Sequence, residues 1–350
     1  MSPVRAVPRA GADVLLVSLG STAGLRAVDA ELADSMRRAG AGVVLAAATP
    51  GREVRTLALT DLKWARAARR AAEAELRRVQ PTAVIYSTST AALLWPAPGA
   101  IRFDAVSAAN RPGRHGLWQR PVERRRLRAA SVLLPPSAGA LAELPGGAPP
   151  GVPVLVIPVP VEPSVPPGFP EREGTGARDI AAITYAANPQ KKGLDRVLAA
   201  WRQAHRPGEE LVVAGARAED LSAGGYELHG EDGVRVVGVL DRGEYRGLLR
   251  RARVFLSAPR REDYGIAQLE ALADGCLLVT APAPGPYVAL PVARALDARL
   301  VGDDLPGALR AALDDPLPGY AAQAREALLP FTREAVDHLV ANELLPRLLA

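Results

Sequence analysis

The chain has 350 residues, of which 48% are hydrophobic and 23% are charged, and its formal net charge is +5. This length and composition fit a globular protein with two domains. Cys276 is the only cysteine, which excludes an intrachain disulfide and a secreted disulfide scaffold, and we expect its thiol to be a buried small hydrophobe.

The basic residues are almost all arginine, since the only lysines are Lys63, Lys191 and Lys192. Arginine scattered among Asp and Glu usually forms a solvated surface, so the basic pI does not by itself indicate a nucleic-acid partner. The apolar run before Ser18 has only about five residues, too few for a signal peptide or a membrane span. We therefore expect a cytoplasmic protein that binds no nucleic acid.

The first half of the chain predicts an α/β domain that begins with a strand at 14–17. A Gly-rich turn that contains Gly20 leads into a helix, and a second strand follows at 43–45. Strand, helix and strand in this order open a doubly wound parallel sheet. The turn has neither the GxGxxG nor the P-loop pattern. Its residues alone leave open whether it is an ordinary βα turn or part of a ligand site.

A helix is predicted at 62–79, and further strands at 83–86, 101–105, 132–134 and 154–157. A glycine- and arginine-containing loop at 110–116 precedes a helix at 120–130 that is rich in arginine. These arginines either bind a phosphate or an anionic acceptor through bidentate hydrogen bonds or form a solvated helix face. The cluster comprises Arg124, Arg125, Arg126 and Arg128.

Proline and glycine are concentrated between Pro145 and Pro170, which indicates a connection between domains. The predicted organisation is an N-terminal domain at 1–160, a linker at 161–178 and a second domain at 179–330. A last helix is predicted at 331–350.

The second half opens with a strand at 180–185, followed by a turn that contains Asn188 and two of the three lysines. A lysine at a strand end and helix start is a compact charge suited to a diphosphate, and this turn contains both Lys191 and Lys192. Further strands end in Gly215 and Gly238.

Strand, turn, helix and strand also follow one another from Arg253 to Thr280, which predicts a βαβ unit. Glu262 lies in its turn, and Glu270 lies in its helix at the shoulder of the stripe formed by Leu269 and Leu272. Both glutamates are either solvated or turned towards the strand end, and the spacing does not decide between these alternatives.

The segment Glu262–Gly275 resembles the E-x7-E segment of retaining, nucleotide-sugar-dependent glycosyltransferases of family 4, the glycosyl transferases group 1. The resemblance implies the GT-B fold, an α/β architecture in which two Rossmann-like, doubly wound parallel-sheet domains face a cleft. It also implies that the last helix, at 331–350, packs back on the first domain. It also implies that Glu262 contacts the donor sugar and that Glu270 binds the ribose hydroxyls. Lys192 would stabilise the diphosphate, so Lys192 and Glu262 are the predicted catalytic residues.

Other donor-binding residues are assigned by the same resemblance. Backbone N–H groups of the segment Tyr264–Ile266 would approach the diphosphate or the sugar. The loops at Gly20 and Gly238 would contact the donor. The predicted donor-binding set is Gly20, Asn188, Lys192, Gly238, Asp263, Tyr264, Gly265, Ile266 and Glu270.

The acceptor side is predicted to involve Asp104, Arg114 and His115. Two positions depart from the family pattern: Phe103 stands where many relatives carry a His, and Ala187 stands where they often carry an Arg. These departures support an alternative, in which a catalytically weak GT-B protein binds a nucleotide sugar or assists a partner glycosyltransferase.

The predicted function is retaining, hexosyltransferase-like transfer of a sugar from a nucleotide-diphosphate sugar to an unidentified acceptor. Neither a Ser-His-Asp nor a Cys-His constellation is found, and no metal-ligand spacing occurs, so we expect no protein nucleophile, no metal and no cofactor beyond the nucleotide-sugar co-substrate. Because of the arginine cluster, we also expect peripheral contact with an anionic acceptor or a membrane surface.

Overall fold

The structure is a computed structural model, and it describes residues 12–51, 54, 56–111, 113–164, 178–228 and 232–350. The chain divides into an N-terminal unit, which extends to Pro160 and also includes Arg333–Ala350, and a C-terminal unit, Val161–Thr332. Most of the predicted linker, residues 165–177, lies outside the described part of the chain.

The N-terminal unit is built on a five-stranded parallel sheet with the order β2-β1-β3-β4-β5. Its strands are β1 (Val14–Ser18), β2 (Val43–Ala47), β3 (Ala83–Tyr86), β4 (Ala100–Arg102) and β5 (Leu133–Leu134). Its helices before Pro160 are α1 (Ala23–Arg38), α2 (Leu57–Arg78), α3 (Ser89–Ala92), α4 (Ser107–Asn110), α5 (Gln119–Arg128) and α6 (Ala138–Ala142). The strand order reverses between β1 and β3, which is where ligands bind in open α/β sheets.

Successive side chains of a strand point to opposite faces of the sheet, so the core of this unit is divided between the two faces. One face buries Leu15, Val17, Tyr86, Ile101 and Phe103, and the other buries Val14, Leu16, Ile85, Ala100 and Leu134. Because both faces are covered, the strands are nearly continuous apolar runs, as is usual in parallel sheets.

The last segment of the chain completes the second of these faces. It comprises α15 (Arg333–Leu339), a π-helical turn at Val340–Leu344 and, as α16, Leu345–Leu349. Its apolar residues Val340 and Leu344 are fully buried in the same cluster as Leu16 and Met36. Arg38 also pairs with Asp337 at 2.6 Å.

The C-terminal unit contains a second five-stranded parallel sheet, with the order β10-β9-β6-β7-β8. Its strands are β6 (Ile180–Tyr185), β7 (Leu211–Ala214), β8 (Val234–Gly238), β9 (Ala252–Ser257) and β10 (Leu277–Thr280). Its helices are α7 (Pro189–Lys192), α8 (Leu194–Ala204), α9 (Ala218–Ala223), α10 (Arg242–Arg251), α11 (Ile266–Ala273), α12 (Ala289–Leu296), α13 (Leu305–Asp314) and α14 (Tyr320–Ala327). Here the order reverses between β6 and β9.

Two parallel, doubly wound sheets with helices confirm the predicted α/β class and the two Rossmann-like domains of the GT-B fold. Some predicted boundaries were wrong: α2 begins at Leu57 instead of residue 62, because Thr56 caps it by accepting a hydrogen bond from the Leu59 N–H. The one-sided stripe predicted for α11 was also wrong, because every residue from Gln268 to Ala273 is buried. None of the helices in the described ranges is long and apolar enough to cross a membrane.

Candidate functional site in the C-terminal unit

The turn after β6 places Lys192 at the point where the strand order reverses. Asn188 caps α7 by accepting a hydrogen bond from the Lys191 N–H at 3.0 Å. Gly193 follows in the left-handed conformation, with φ 63°, and a Cβ there would lie 2.0 Å from the Ala258 carbonyl oxygen. Only glycine lets the Lys192 turn approach the end of β9 this closely.

Glu262 lies in the loop after β9, and the loop after β10 holds it. The Glu262 N–H donates to the Pro284 carbonyl at 3.0 Å, and the Glu262 carbonyl accepts from the Tyr287 N–H at 3.2 Å. Gly285 permits this contact, since a Cβ there would lie 2.3 Å from the Glu262 carbonyl oxygen. The carboxyl ends of β6, β9 and β10 therefore converge on one site.

Lys192 and Glu262 form an ion pair at the centre of this site. Lys192 Nζ lies 2.5 Å from Glu262 Oε2, and the two side chains are 23% and 6% exposed, respectively. Gln268 Nε2 donates to the same carboxylate oxygen at 3.2 Å and to Ser257 Oγ at 3.0 Å. Gln268 Oε1 is buried and accepts no hydrogen bond from the described residues, so an acceptor atom remains beside the pair.

A second basic–acidic pair lies next to the first. Lys191 Nζ lies 2.5 Å from Asp263 Oδ2, and Arg261 Nε lies 2.9 Å from Asp263 Oδ1. Asp263 is therefore shared by two cations, whereas Glu262 is paired with Lys192. The two consecutive lysines of this turn thus have two different carboxylate partners.

Helix α11 begins immediately after these carboxylates. Tyr264 is buried and Ile266 is half-buried, and Gly265 between them has φ 93°. A Cβ on Gly265 would lie 3.2 Å from the Tyr287 ring, so glycine allows the chain to turn into the helix against this ring. The first N–H groups of a helix lack intrahelical partners and attract anions.

Glu270 lies one turn further along α11 and is held by two arginines from α10. Its Oε1 lies 3.1 Å from Arg242 Nη2 and 3.4 Å from Arg246 Nη1. Arg246 is itself buried, and its Nε lies 2.5 Å from Asp274 Oδ2. Of the two alternatives for Glu270, the solvated position was wrong: the carboxylate is only 8% exposed and its orientation is fixed.

Two tyrosines lie near Glu270. The rings of Tyr185 and Tyr245 are 5.2 Å apart between centroids. Burial, with a smaller contribution from the Glu270 charge, raises the pKa of Tyr245 well above its ordinary value. The Tyr245 hydroxyl is buried and has no hydrogen-bond partner among the described residues. Gly238, at the end of β8, accepts a hydrogen bond from the Gly215 N–H at 2.8 Å and leaves open space where a Cβ would be.

The N-terminal unit has its own polar cluster at the ends of β1 and β3. Gly20 has φ 57°, and its carbonyl accepts from Arg26 Nη1 at 2.8 Å. Beside this turn, Asp29 accepts a hydrogen bond from Ser18 Oγ at 2.5 Å, and burial raises the pKa of Asp29. The Leu19 N–H donates to Ser87 Oγ at 3.2 Å, so the Gly20 turn is tied to the neighbouring strand.

The residues predicted for the acceptor side lie in the N-terminal unit, after β4. Asp104 is exposed, and Arg114 and His115 are exposed side by side in a 3-10 turn, Gly113–Gly116. Phe103 is only 1% exposed and belongs to the core, so its ring fills the interior where a histidine of the family pattern would carry a polar group.

Several site residues were missed by the sequence analysis: Arg242, Arg246, Gln268, Tyr245, Tyr287 and Asp29. Arg246 contacts Glu270 across 24 positions of the sequence, and Tyr287 contacts the Glu262 loop from the loop after β10. A motif scan does not detect such contacts. The one available signal was Gln268, which lies between the two glutamates of the motif.

Comparison with known proteins gives a family match within the C-terminal unit. Residues 170–291 match the family model of the glycosyl transferases group 1, a range that contains Lys192, Glu262 and Glu270. No curated protein matches the chain. The matched segment and the GT-B fold confirm the resemblance that the E-x7-E segment indicated.

Solved structures similar to the chain are glycosyltransferases and a synthase. Sucrose-phosphate synthase from Thermosynechococcus elongatus has 15% identity and a TM-score of 0.69, with 93% of this chain and 96% of that chain covered. WaaG, a glycosyltransferase involved in lipopolysaccharide biosynthesis, has 15% identity and a TM-score of 0.69, with 94% and 100% covered. HepE from Anabaena, in complex with UDP and glucose, has 14% identity and a TM-score of 0.66, with 95% and 98% covered. At these identities the similarity establishes the fold.

Proposed function

We propose that this chain, which carries a group 1 glycosyltransferase segment, transfers a hexose from a nucleotide-diphosphate sugar to an acceptor with retention of the anomeric configuration. The observation that supports the proposal most is the Lys192–Glu262 pair at the strand-order reversal of the C-terminal sheet. Ligands of open α/β sheets bind at this position, beyond the carboxyl ends of the strands.

Lys192 is the group suited to the leaving diphosphate. As the bond between the anomeric carbon and the β-phosphate oxygen breaks, negative charge grows on that oxygen, and a nearby ammonium group stabilises it. The new bond forms from the acceptor oxygen to the anomeric carbon, and the acceptor proton passes to the leaving diphosphate. The N–H groups at the start of α11 supply further donors for the same charge.

Glu262 and Glu270 have separate roles in this proposal. Glu262 orients Lys192 and is positioned to accept hydrogen bonds from hydroxyls of the donor sugar. Glu270 is fixed through Oε1 by Arg242 and Arg246, and a carboxylate offers about four acceptor sites in all, so capacity for ribose hydroxyls remains. Donor and acceptor are the expected partners, and no residue of the chain needs to form a covalent intermediate.

The nucleotide and the chemistry are tested together by a panel of UDP-, GDP-, ADP- and dTDP-sugars. UDP-sugars are the first choice, because HepE was solved with UDP. A true donor at about 100 times its Kd should add roughly 2.7 kcal/mol of stability in a thermal shift. The same donor should be slowly hydrolysed, with release of nucleoside diphosphate and of a sugar whose anomeric configuration is that of the donor by NMR.

Two lysine variants test whether the hydrolysis depends on Lys192 in particular. Lys192→Ala should lose most of the hydrolysis, whereas Lys191→Ala, which removes the same charge one residue away, should lose much less, because its partner Asp263 is also bound by Arg261. A protein that binds a nucleotide sugar but turns over none of the panel would be the catalytically weak binding protein instead. An inverted product would contradict retention.

A further inference from the structure

A cavity of about 380 Å³ lies within the N-terminal unit, between α5 and the loop at 144–150. Its apolar lining includes Val106, Leu127 and Leu144, all less than a tenth exposed. Small-molecule sites commonly have volumes of about 300–1,000 Å³ and mostly apolar walls, so this cavity has the size of a ligand site.

Three arginines of α5 line the same cavity: Arg120, Arg124 and Arg128. They are four residues apart, so they form one row along the helix, about 12 Å long at 1.5 Å per residue. Arg124 and Arg128 form no ion pair with any carboxylate of the described residues. Like charges four residues apart destabilise a helix, so an anion bound on this row would stabilise it.

The carboxylate that lines the cavity does not neutralise this row. Glu123 accepts hydrogen bonds from the Ser107 N–H at 3.0 and 3.1 Å and from the Ser107 hydroxyl. It is buried, with 5% exposure, and it therefore fixes α4 against α5. The cavity keeps a net positive charge.

Arg120 adds an independent sign of a missing partner. Its Nη2 donates to the carbonyl oxygens of Arg111 and Gly113, which holds the guanidinium in place. Its Nε is buried and has no acceptor among the described residues. A buried donor without an acceptor costs free energy. A turn of the Arg120 guanidinium towards the cavity that the residue lines would bring this N–H to an anionic oxygen.

Other arginines of α5 have different surroundings. The Arg126 guanidinium lies 4.9 Å from the centroid of the Trp95 ring and donates to the Leu93 carbonyl. Arg125 is exposed and does not line the cavity. The arginine-rich sequence of this helix therefore contains a cavity-facing row and residues with other roles, and Arg125 is a matched control for the row.

We propose that this cavity binds an anionic amphiphile, with its phosphate or carboxylate head on Arg120, Arg124 and Arg128 and its apolar part against Val106, Leu127 and Leu144. The row of arginines would bind the anionic head group, and the apolar wall would bind the hydrocarbon part of the ligand. The inference does not depend on the proposed glycosyl transfer, because it rests on residues of the N-terminal unit alone.

Calorimetry of the full chain with monomeric decyl phosphate tests the proposal, with inorganic phosphate and decanol as separate arms. Decyl phosphate should bind at least tenfold more tightly than either fragment, and its affinity should fall with added salt. The double variant Arg124→Ala/Arg128→Ala should weaken binding by at least tenfold, whereas Arg125→Ala should leave it within twofold.

A second variant tests the apolar wall without opening a void in the core. Ala148 is exposed and lines the cavity, so Ala148→Trp should fill the tail space and weaken decyl phosphate binding while leaving inorganic phosphate unchanged. Equal affinity for inorganic phosphate and decyl phosphate, or equal effects of Arg125→Ala and the double variant, would overturn the proposal in favour of a general cationic surface.

Vesicles with and without anionic lipid distinguish the two sources of such a head group. If a lipid inserts its chain into the cavity, Ala148→Trp should reduce co-sedimentation with anionic vesicles as strongly as the double arginine variant does. If decyl phosphate binds but co-sedimentation with anionic vesicles is absent, the ligand is a free amphiphile, and the proposal stands in that form.

Discussion

Glu270 shows how one residue is positioned by charges on a neighbouring helix. Both arginines that contact it come from α10, and Arg246 also binds Asp274 and the Glu162 carbonyl. We therefore expect Arg242 and Arg246 to hold the Glu270 side chain in one orientation when a ligand binds.

The first prediction concerns this carboxylate. Glu270→Gln should lower nucleotide affinity by about tenfold or more, because a hydrogen bond to a charged group contributes about 1.5–3 kcal/mol and a neutral amide replaces it. The protein should stay folded, since Arg246 keeps its ion pair with Asp274. Isothermal calorimetry measures the affinity, and Glu326→Gln, an exposed change on α14, is the control. Unchanged affinity in Glu270→Gln would exclude the ribose contact.

Cys276 gives a second prediction, from its pKa. Burial raises the pKa of the thiol from 9.0 to about 12. The unfolded thiol ionises first, so its contribution to stability is complete below pH 9 and is lost as the pH rises from 9 to about 12. Between pH 8 and 10 the free energy of unfolding should fall by about 1.4 kcal/mol more in the wild type than in Cys276→Ala.

Urea unfolding at the two pH values measures this difference. Iodoacetamide at pH 8 should leave Cys276 unmodified in the native protein and modify it fully in urea. Rapid alkylation of the native protein, or an identical pH dependence in the variant, would show that the thiol is accessible.

At the scale of single residues, the sequence indicated the charged residues proposed for the site but not the residues that contact them. Lys192, Glu262 and Glu270 are identified by the motif, and the family match contains all three. Arg242 and Arg246 carry no pattern of their own, because they reach Glu270 only when α10 packs beside α11. The assignments of these residues to donor groups remain predictions.

Among the elements, the turn after β6 is the one whose geometry is most restricted. Gly193, with φ 63°, caps the end of α7 and the start of α8, so Lys192 is held as the last residue of α7, directly before this turn. The Ala258 carbonyl lies where a Cβ would be, at the end of the neighbouring strand. Backbone contact between the two turns sets the distance from Lys192 to Glu262.

This restriction yields a third prediction, with a matched glycine as control. Gly208→Ala, at φ 88° with open space around the Cβ, should cost about 1–2 kcal/mol for the left-handed conformation. Gly193→Ala should cost more, because the Ala258 carbonyl must also move, and it should lower donor hydrolysis. Chemical denaturation and a hydrolysis assay measure the two effects. Equal losses of stability would mean that the close approach has no energetic consequence.

Long elements were predictable from the sequence, whereas the shortest helices and the complete burial of α11 were not. The strands of both sheets are apolar runs bounded by glycine or polar turns, which is a strong local signal. Sheet and helices cover α11 on all sides, so it has no polar face. Its periodicity therefore could not decide whether Glu270 is solvated or buried. The short helices α3, α4 and α7 have too few residues for a periodic pattern.

For the whole molecule, the chain leaves the N-terminal unit at Pro160 and returns to it at Arg333. The returning segment buries Val336, Val340 and Leu344 against Leu16 and Met36. The core of the first unit therefore depends on the last residues of the chain. The alternation of strands and helices predicted both sheets, whereas which unit holds the last helix was expected only from the resemblance.

The fourth prediction tests this dependence. Leu344→Ala should lower the free energy of unfolding by about 2–5 kcal/mol, as expected for a fully buried leucine. Leu349→Ala, at 36% exposure in the same segment, should change it by less than about 1 kcal/mol. Urea denaturation followed by circular dichroism provides both values. A Leu344→Ala protein as stable as Leu349→Ala would show that the returning segment contributes little to the core.

The central claim is that Lys192 stabilises charge that develops in the transition state, whereas Glu270 binds ribose hydroxyls that do not change. The most direct measurement is therefore kcat and KM for hydrolysis of the nucleotide sugar that the panel identifies, in the wild type, Lys192→Ala and Glu270→Ala. A lost contact of about 3 kcal/mol corresponds to roughly a hundredfold in rate. Lys192→Ala should lose about that factor in kcat at saturating donor, and Glu270→Ala should mainly raise KM. Intact kcat in Lys192→Ala would contradict the account.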